Sequence, residues 1–120
     1  MTNKELSQIF YIKKETEITE KRIEDLKNII NDLNITKSNN DDFLKMQKLE
    51  TKLKLLKDEL YLEMNKIQDY INNVDDSLVR LIITLRCIDC YSWDEVSIAI
   101  GGGNSYDSIK KIYYRYIKNN

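Results

Sequence analysis

Apolar residues recur along the first part of the chain at alternating steps of four and three. Ile9, Ile12, Thr16, Thr19, Ile23, Leu26, Ile30 and Leu33 hold that register, the a/d pattern of a coiled-coil seam with one polar layer at Thr16 and Thr19. The positions between them, such as Lys13, Lys14, Glu17, Glu20, Lys21, Glu24 and Lys27, mix both signs of charge, as a solvated helix face does. From Asn34 to Asp42 the register is broken by Thr36, Ser38, Asn39, Asn40 and Asp41, whose side chains compete for backbone hydrogen bonds and favour turns and caps. A second seam runs through Met46, Leu49, Leu53, Leu56, Leu60, Ile67, Tyr70 and Val74, with Glu63 its one misfit and Met64 beside it. Two helices of roughly 30 residues, about 45 Å each at 1.5 Å per residue, are therefore expected to zip antiparallel. Such a hairpin buries only a narrow stripe, so pairing with a second copy, as a homodimer, is expected as well. The seam residues themselves read as core.

The pattern changes after Asn72 and Asn73. Asp75 and Asp76 can cap a helix whose apolar face is expected to be Leu78, Leu81, Ile82, Leu85 and Ile88, ending at Asp89-Cys90-Tyr91. Ser92-Trp93-Asp94-Glu95 is a capping box, in which the Ser92 hydroxyl serves the amide of residue 95 and the Glu95 carboxylate reaches back. The helix it opens has Trp93, Val96 and Ile100 as core candidates and meets Gly101-Gly102-Gly103, a run suited to a helix end and a sharp reversal. Asn104 or Ser105 then caps a last helix. Its Ile109, Ile112, Tyr113 and Tyr116 share one face, while Asp107, Lys111, Tyr114, Arg115 and Lys118 share the other.

Composition narrows the fold class to all-α. Of 120 residues none is proline, and the only three glycines are consecutive, which leaves little to punctuate the turns of a β-rich or βαβ chain. The chain length suits one small domain with an extension, divided here into a helical hairpin for oligomerisation at 1–73 and a helix-turn-helix domain at 74–120. The absence of histidine removes the commonest general base and metal ligand, so no enzymatic activity and no cofactor are expected. No apolar run of about 18 residues and no signal-peptide core occur, so a cytoplasmic protein with reduced cysteines and no membrane contact is expected. Heavy use of Ile, Lys and Asn, whose codons can be AT-rich, points to a low-GC bacterial or phage genome.

The formal charge of −1 and a pI near 5.5 deny the chain a globally basic surface, so nucleic-acid binding would need a local patch. One exists at the C-terminus, where Lys110, Lys111, Arg115 and Lys118 face Asp107 as the one acidic residue after Ser105. Helix, short helix, glycine turn and basic helix follow in the order of a helix-turn-helix reader of double-stranded DNA, whose last helix keeps one face apolar for docking and offers the other to the major groove. Lysine and arginine suit phosphates and guanine edges, asparagine and serine suit base edges, and tyrosine suits phosphate. The candidate DNA-binding set is Asn104, Ser105, Asp107, Ser108, Lys110, Lys111, Tyr114, Arg115 and Lys118.

Leu85-Arg86, Ser92-Trp93-Asp94-Glu95-Val96, Gly101-Gly102-Gly103-Asn104-Ser105 and Asp107-Ser108-Ile109 resemble the sigma-70 region-4-like domain of small phage and prophage regulators of Gram-positive bacteria, a group that includes the ArpU-like late-gene regulators. The resemblance spans about residues 76–120. It implies transcription regulation through promoter DNA, with the last helix in the major groove, and it leaves RNA polymerase open as a further partner. Cys87 stands where that family usually has an aromatic residue, and Cys90 where a small turn residue, often glycine, is usual. The first seventy residues carry no such resemblance.

Other constellations point elsewhere. Cys87-Ile88-Asp89-Cys90 is a CxxC, but a closed zinc site needs four ligands, and this chain has two cysteines and no histidine. Thiols buried at a helix end are the expectation. The glycine triplet lacks the Lys-Ser/Thr and the preceding strand of a phosphate loop. Of Tyr113, Tyr114 and Tyr116, two fall on the apolar face, leaving Tyr114 as the exposed one. A second function class fits the same pattern: a structural or interaction protein, such as a small terminase-like DNA-packaging subunit or a coiled-coil adaptor, favoured by the weak total charge.

Overall fold

A computed structural model describes residues 1–32 and 41–119. Of the break expected over Asn34–Asp42, residues 34–40 lie outside them, as does the seam position of Leu33, whereas Asp41 and Asp42 are already the first turn of a helix. Every element among the described residues is helical: α1 (Asn3–Leu6), α2 (Gln8–Asp32), α3 (Asp41–Asn72), α4 (Ser77–Ile83), a π-helical turn (Thr84–Ile88), α5 (Trp93–Ile100) and α6 (Tyr106–Asn119). None of these helices is long and apolar enough to cross a membrane. The chain forms two compact units, Met1–Tyr11 with Leu62–Asn120, and Ile12–Tyr61.

In the unit spanning Ile12–Tyr61, α2 buries Ile12, Thr16, Thr19, Ile23 and Ile30, and α3 buries Leu56. The threonine layer is tolerated because each hydroxyl stays within its own helix: Thr16 donates to the Ile12 carbonyl and Thr19 to that of Glu15, both at 2.8 Å. This is the back-bonding that lets threonine enter a core without an orphaned polar group. Lys52 reaches Glu15 at 3.1 Å.

The other unit opens with a cap that lies ahead of the seam. Thr2 accepts from the amide of Glu5, whose carboxylate accepts in return from the amide of Thr2, so α1 starts on a capping box. Leu6 and Ile9 are fully buried, together with Ile67, Ile71 and Val74. Tyr70, expected in the seam, is half-buried, and Ile71 takes the deeper place.

Asp76 caps α4 by accepting from the amides of Leu78 and Val79 at 2.8 and 3.3 Å. The buried face of this helix differs from the expected one. Val79, Ile82, Ile83 and Cys87 are buried, whereas Leu81 is exposed and Leu78, Leu85 and Ile88 are half-buried. The physical reason is that the apolar residues of Ser77–Leu85 spread over more than half of the circumference, opposite a narrow stripe of Ser77, Arg80 and Thr84, so periodicity alone leaves the centre of the buried arc open. The helix then widens: the Asp89 amide bonds the Thr84 carbonyl five residues back at 3.0 Å, and the Tyr91 amide bonds that of Leu85. Cys90 closes the turn at φ 60°, the one positive φ among described residues other than glycine.

Ser92 and Glu95 form their capping box on α5, which buries Trp93 and Val96. Gly101 ends it at φ 67°, ψ −150°, a region open essentially to glycine alone. Nothing stands within 4 Å of a Cβ placed there, so backbone conformation and not space requires glycine. Ser105 rather than Asn104 caps α6, accepting from the Ser108 amide at 3.2 Å. Helices α4, α5 and α6 pack on one another, with Ile109 and Tyr113 as the buried residues of α6.

Two outcomes follow for stability. Trp93 is only 6 % exposed, so Trp93→Ala should cost about 3–5 kcal/mol in chemical denaturation, as truncations of buried aromatics do. Cys90→Gly should instead raise stability by about 0.5–1 kcal/mol, because relief of the left-handed strain outweighs the extra freedom of the unfolded chain. A lower denaturation midpoint for Cys90→Gly would show that its thiol contributes more than its backbone costs.

Candidate nucleic-acid interface

The candidate residues stand on α6 and on the turn before it, and their presentation depends on how α6 is held. Tyr113 is 2 % exposed and packs edge-on against Trp93, ring centroids 5.0 Å apart. Its hydroxyl donates to Asn3 Oδ1 at 2.9 Å and lies 3.6 Å from the Cys87 sulfur. Burial pushes the phenol above its ordinary range, and the neighbouring Cys87 adds to this. Burial likewise pushes the Cys87 thiol up to about 11, against a smaller opposing effect of the Tyr113 hydrogen bond. It is therefore a neutral thiol near pH 7 and a packing residue. Cys90 is half-buried. Among the described residues, no group of three or more His, Cys, Asp or Glu side chains stands ready to hold a metal ion.

With Ile109 and Tyr113 turned inward, helical spacing turns the charged set outward. Asp107, Ser108, Lys111, Tyr114, Arg115 and Lys118 are exposed, and Ile112 and Tyr116 are half-buried. Asp107, Lys110, Lys111, Tyr114 and Arg115 line one shallow groove of about 350 Å³. Five of the nine candidates thus meet in a single surface feature. Lys118 lies one turn beyond Tyr114 and Arg115 on the same side. Lys110 is half-buried, and its ammonium sits 5.5 Å from the centre of the Tyr106 ring, a cation–π contact.

The turn residues are engaged locally. Asn104 is half-buried and its amide donates to the Gly101 carbonyl at 3.0 Å, closing the glycine turn. Ser105 spends its oxygen as an acceptor on the α6 cap and keeps a hydroxyl proton to donate. Ser108 remains exposed on the first turn.

Two contributors escape sequence reasoning. Arg86 places its guanidinium 4.6 Å from the centre of the Trp93 ring and donates to the Tyr91 carbonyl at 2.8 Å, locking the entry to α5 onto the end of the π-helical turn. Asn3 anchors Tyr113 from 110 residues away. An arginine before a tryptophan offers a weak signal for the first contact, and nothing in the sequence signals the second.

A search against protein families, curated proteins and solved structures found no match to this chain.

Proposed function

We propose that this chain is a DNA-binding regulator of the phage or prophage type, in which α5, the glycine turn and α6 form a helix-turn-helix and α2 and α3 form an antiparallel helical hairpin. The antiparallel course of the hairpin is supported by the approach of Lys52 to Glu15 and by the groove that Arg22, Asp25 and Leu26 share with Lys45, Lys48 and Leu49. The observation that carries the function is the division of α6. One side is consumed by Ile109 and Tyr113, and the other gathers Lys110, Lys111 and Arg115 around an open groove. A helix held by a buried face and offering cations on the other can lie along a major groove and meet phosphates on its rims.

Roles divide along α6 in this reading. Lys111, Arg115 and Lys118 bind phosphate and supply affinity on any sequence. Ser105 and Ser108, at the N-terminal end, stand nearest the base edges, and Asp107 suits the amino group of cytosine while repelling phosphate, so its place is over the groove floor and not its rim. Asn104 acts mainly through the shape of the turn, since its amide already serves Gly101. The domain carried by residues 74–120 reads DNA, and RNA polymerase is the further partner expected of a promoter-bound regulator.

The test is a mobility-shift titration of the full chain on duplex DNA over a range of salt. Lys111→Ala with Arg115→Ala should weaken binding and flatten the slope of log affinity against log salt by roughly one unit per lost contact. Ser108→Ala should alter which sequence is preferred while leaving the salt slope in place. A double mutant with parental affinity and slope would turn the assignment to a structural or packaging role, the reading that the net charge of −1 favours.

A further inference from the structure

Among the described residues, the hairpin unit leaves large aliphatic side chains in water at four places: Ile18 at 56 % exposure, Ile29 at 44 %, Leu44 at 52 % and Leu55 at 64 %. Their placement is not scattered. At 3.6 residues per turn, Glu15, Ile18, Arg22, Asp25, Leu26 and Ile29 fall within about a third of the circumference of α2, and Leu44, Lys45, Lys48, Lys52, Leu55 and Glu59 within about a third of that of α3. The Glu15–Lys52 ion pair at 3.1 Å joins the two arcs, so they form one side of the hairpin. The same side holds an open groove of about 470 Å³, floored by Leu26 and Leu49 and rimmed by Arg22, Asp25, Lys45 and Lys48. On the opposite side the corresponding flanking positions are Lys13, Glu20 and Lys27 on α2 and Glu50 and Lys57 on α3.

We infer that this side is where a second copy of the chain docks, around a two-fold axis near Arg22, to give a four-helix bundle. The argument is self-complementarity. The groove sets Arg22, Asp25 and Leu26 beside Lys45, Lys48 and Leu49, so Ile18 and Leu55 fall at about one level of an antiparallel pair, and the Leu26–Leu49 groove lies about 12 Å further along α2, at 1.5 Å per residue. A two-fold axis midway between them seats the aliphatic pair of each copy in the groove of the other, the reciprocal relation that an isologous interface requires. The same operation carries Lys45 and Lys48 to the level of Glu15 and Glu59. The basic end of one face therefore meets the acidic end of its partner, while a parallel, in-register pairing would oppose like ends. The inference concerns the hairpin alone and holds whether or not α6 binds DNA.

Sedimentation equilibrium of the full chain tests it. The parent should be a dimer at micromolar concentration, and Ile18→Glu with Leu55→Glu should raise the dissociation constant at least about a hundredfold, since each dimer loses four buried aliphatic side chains. Both residues are exposed in the single chain, so helical circular dichroism should be unchanged. Lys45→Glu should weaken the dimer, and Lys45→Glu combined with Glu59→Lys should restore it. A monomeric parent, an assembly larger than a dimer, a double-glutamate variant that still dimerises, or a charge swap that fails to restore the dimer would each overturn the proposed interface.

Discussion

The placement of α6 depends on the burial of one phenol. Tyr113 is too large and too polar to be hidden cheaply: its ring needs a partner of similar size, and its hydroxyl needs a hydrogen bond once water is excluded. Trp93, the first residue of α5, supplies the ring contact, and Asn3, on the first turn of the chain, supplies the acceptor. Trp93 is in turn held from behind by Arg86. These contacts tie α1, the π-helical turn and α5 to a single side chain of α6. Once Tyr113 points inward, Ile109 must follow it one turn earlier, and the rotation of α6 is set. The outward cationic face is a consequence of that constraint and needs no separate device.

Local chemistry made much of this legible. The Ser92–Glu95 capping box, the Asp76 cap and the end of α5 at Gly101 depend on residues within four positions of one another, and each forms as the sequence predicts. The inward face of α6 was legible for a related reason, since alternation of apolar and charged residues at helical spacing leaves one choice of rotation. In α4 the same reasoning failed. The apolar residues of Ser77–Leu85 spread over more than half of the helix circumference, and Leu81, apolar enough for a core, lies outward while Val79, Ile83 and Cys87, four residues apart, form the buried stripe beside Ile82. The Thr2–Glu5 box obeys the same local rule as the others but precedes the periodic region, where no hydrophobic register draws attention to it.

What the sequence could not convey were the non-local contacts and the backbone strain. The Asn3–Tyr113 bond joins residues 110 apart, and no pattern within either segment announces the other. The left-handed conformation of Cys90 is a similar case. Glycine adopts this φ freely, but a cysteine in the sequence gives no sign of the φ it must adopt. For Asn104, residue type suggested base contact, whereas the geometry spends its amide on the turn. A polar side chain beside a glycine run has a local carbonyl to satisfy before it is available to a ligand.

A chain with a net charge of −1 is an unpromising DNA binder only if charge acts as a sum over the molecule. At about 0.1 M salt the screening length is near 10 Å, so exposed charges further away than that contribute little to the field over the α6 groove. In the proposed reading, what a phosphate meets there is Lys110, Lys111 and Arg115 against Asp107, with Lys118 a turn further on. Three or four phosphate contacts give weak, salt-sensitive binding when they act alone. Two such helices carried by one dimer act differently, because engagement of the first places the second at raised effective concentration over a neighbouring half-site. In that reading, a self-complementary hairpin therefore has a physical task that a monomer could not perform: by joining two chains it lets two modest cationic faces act as one site.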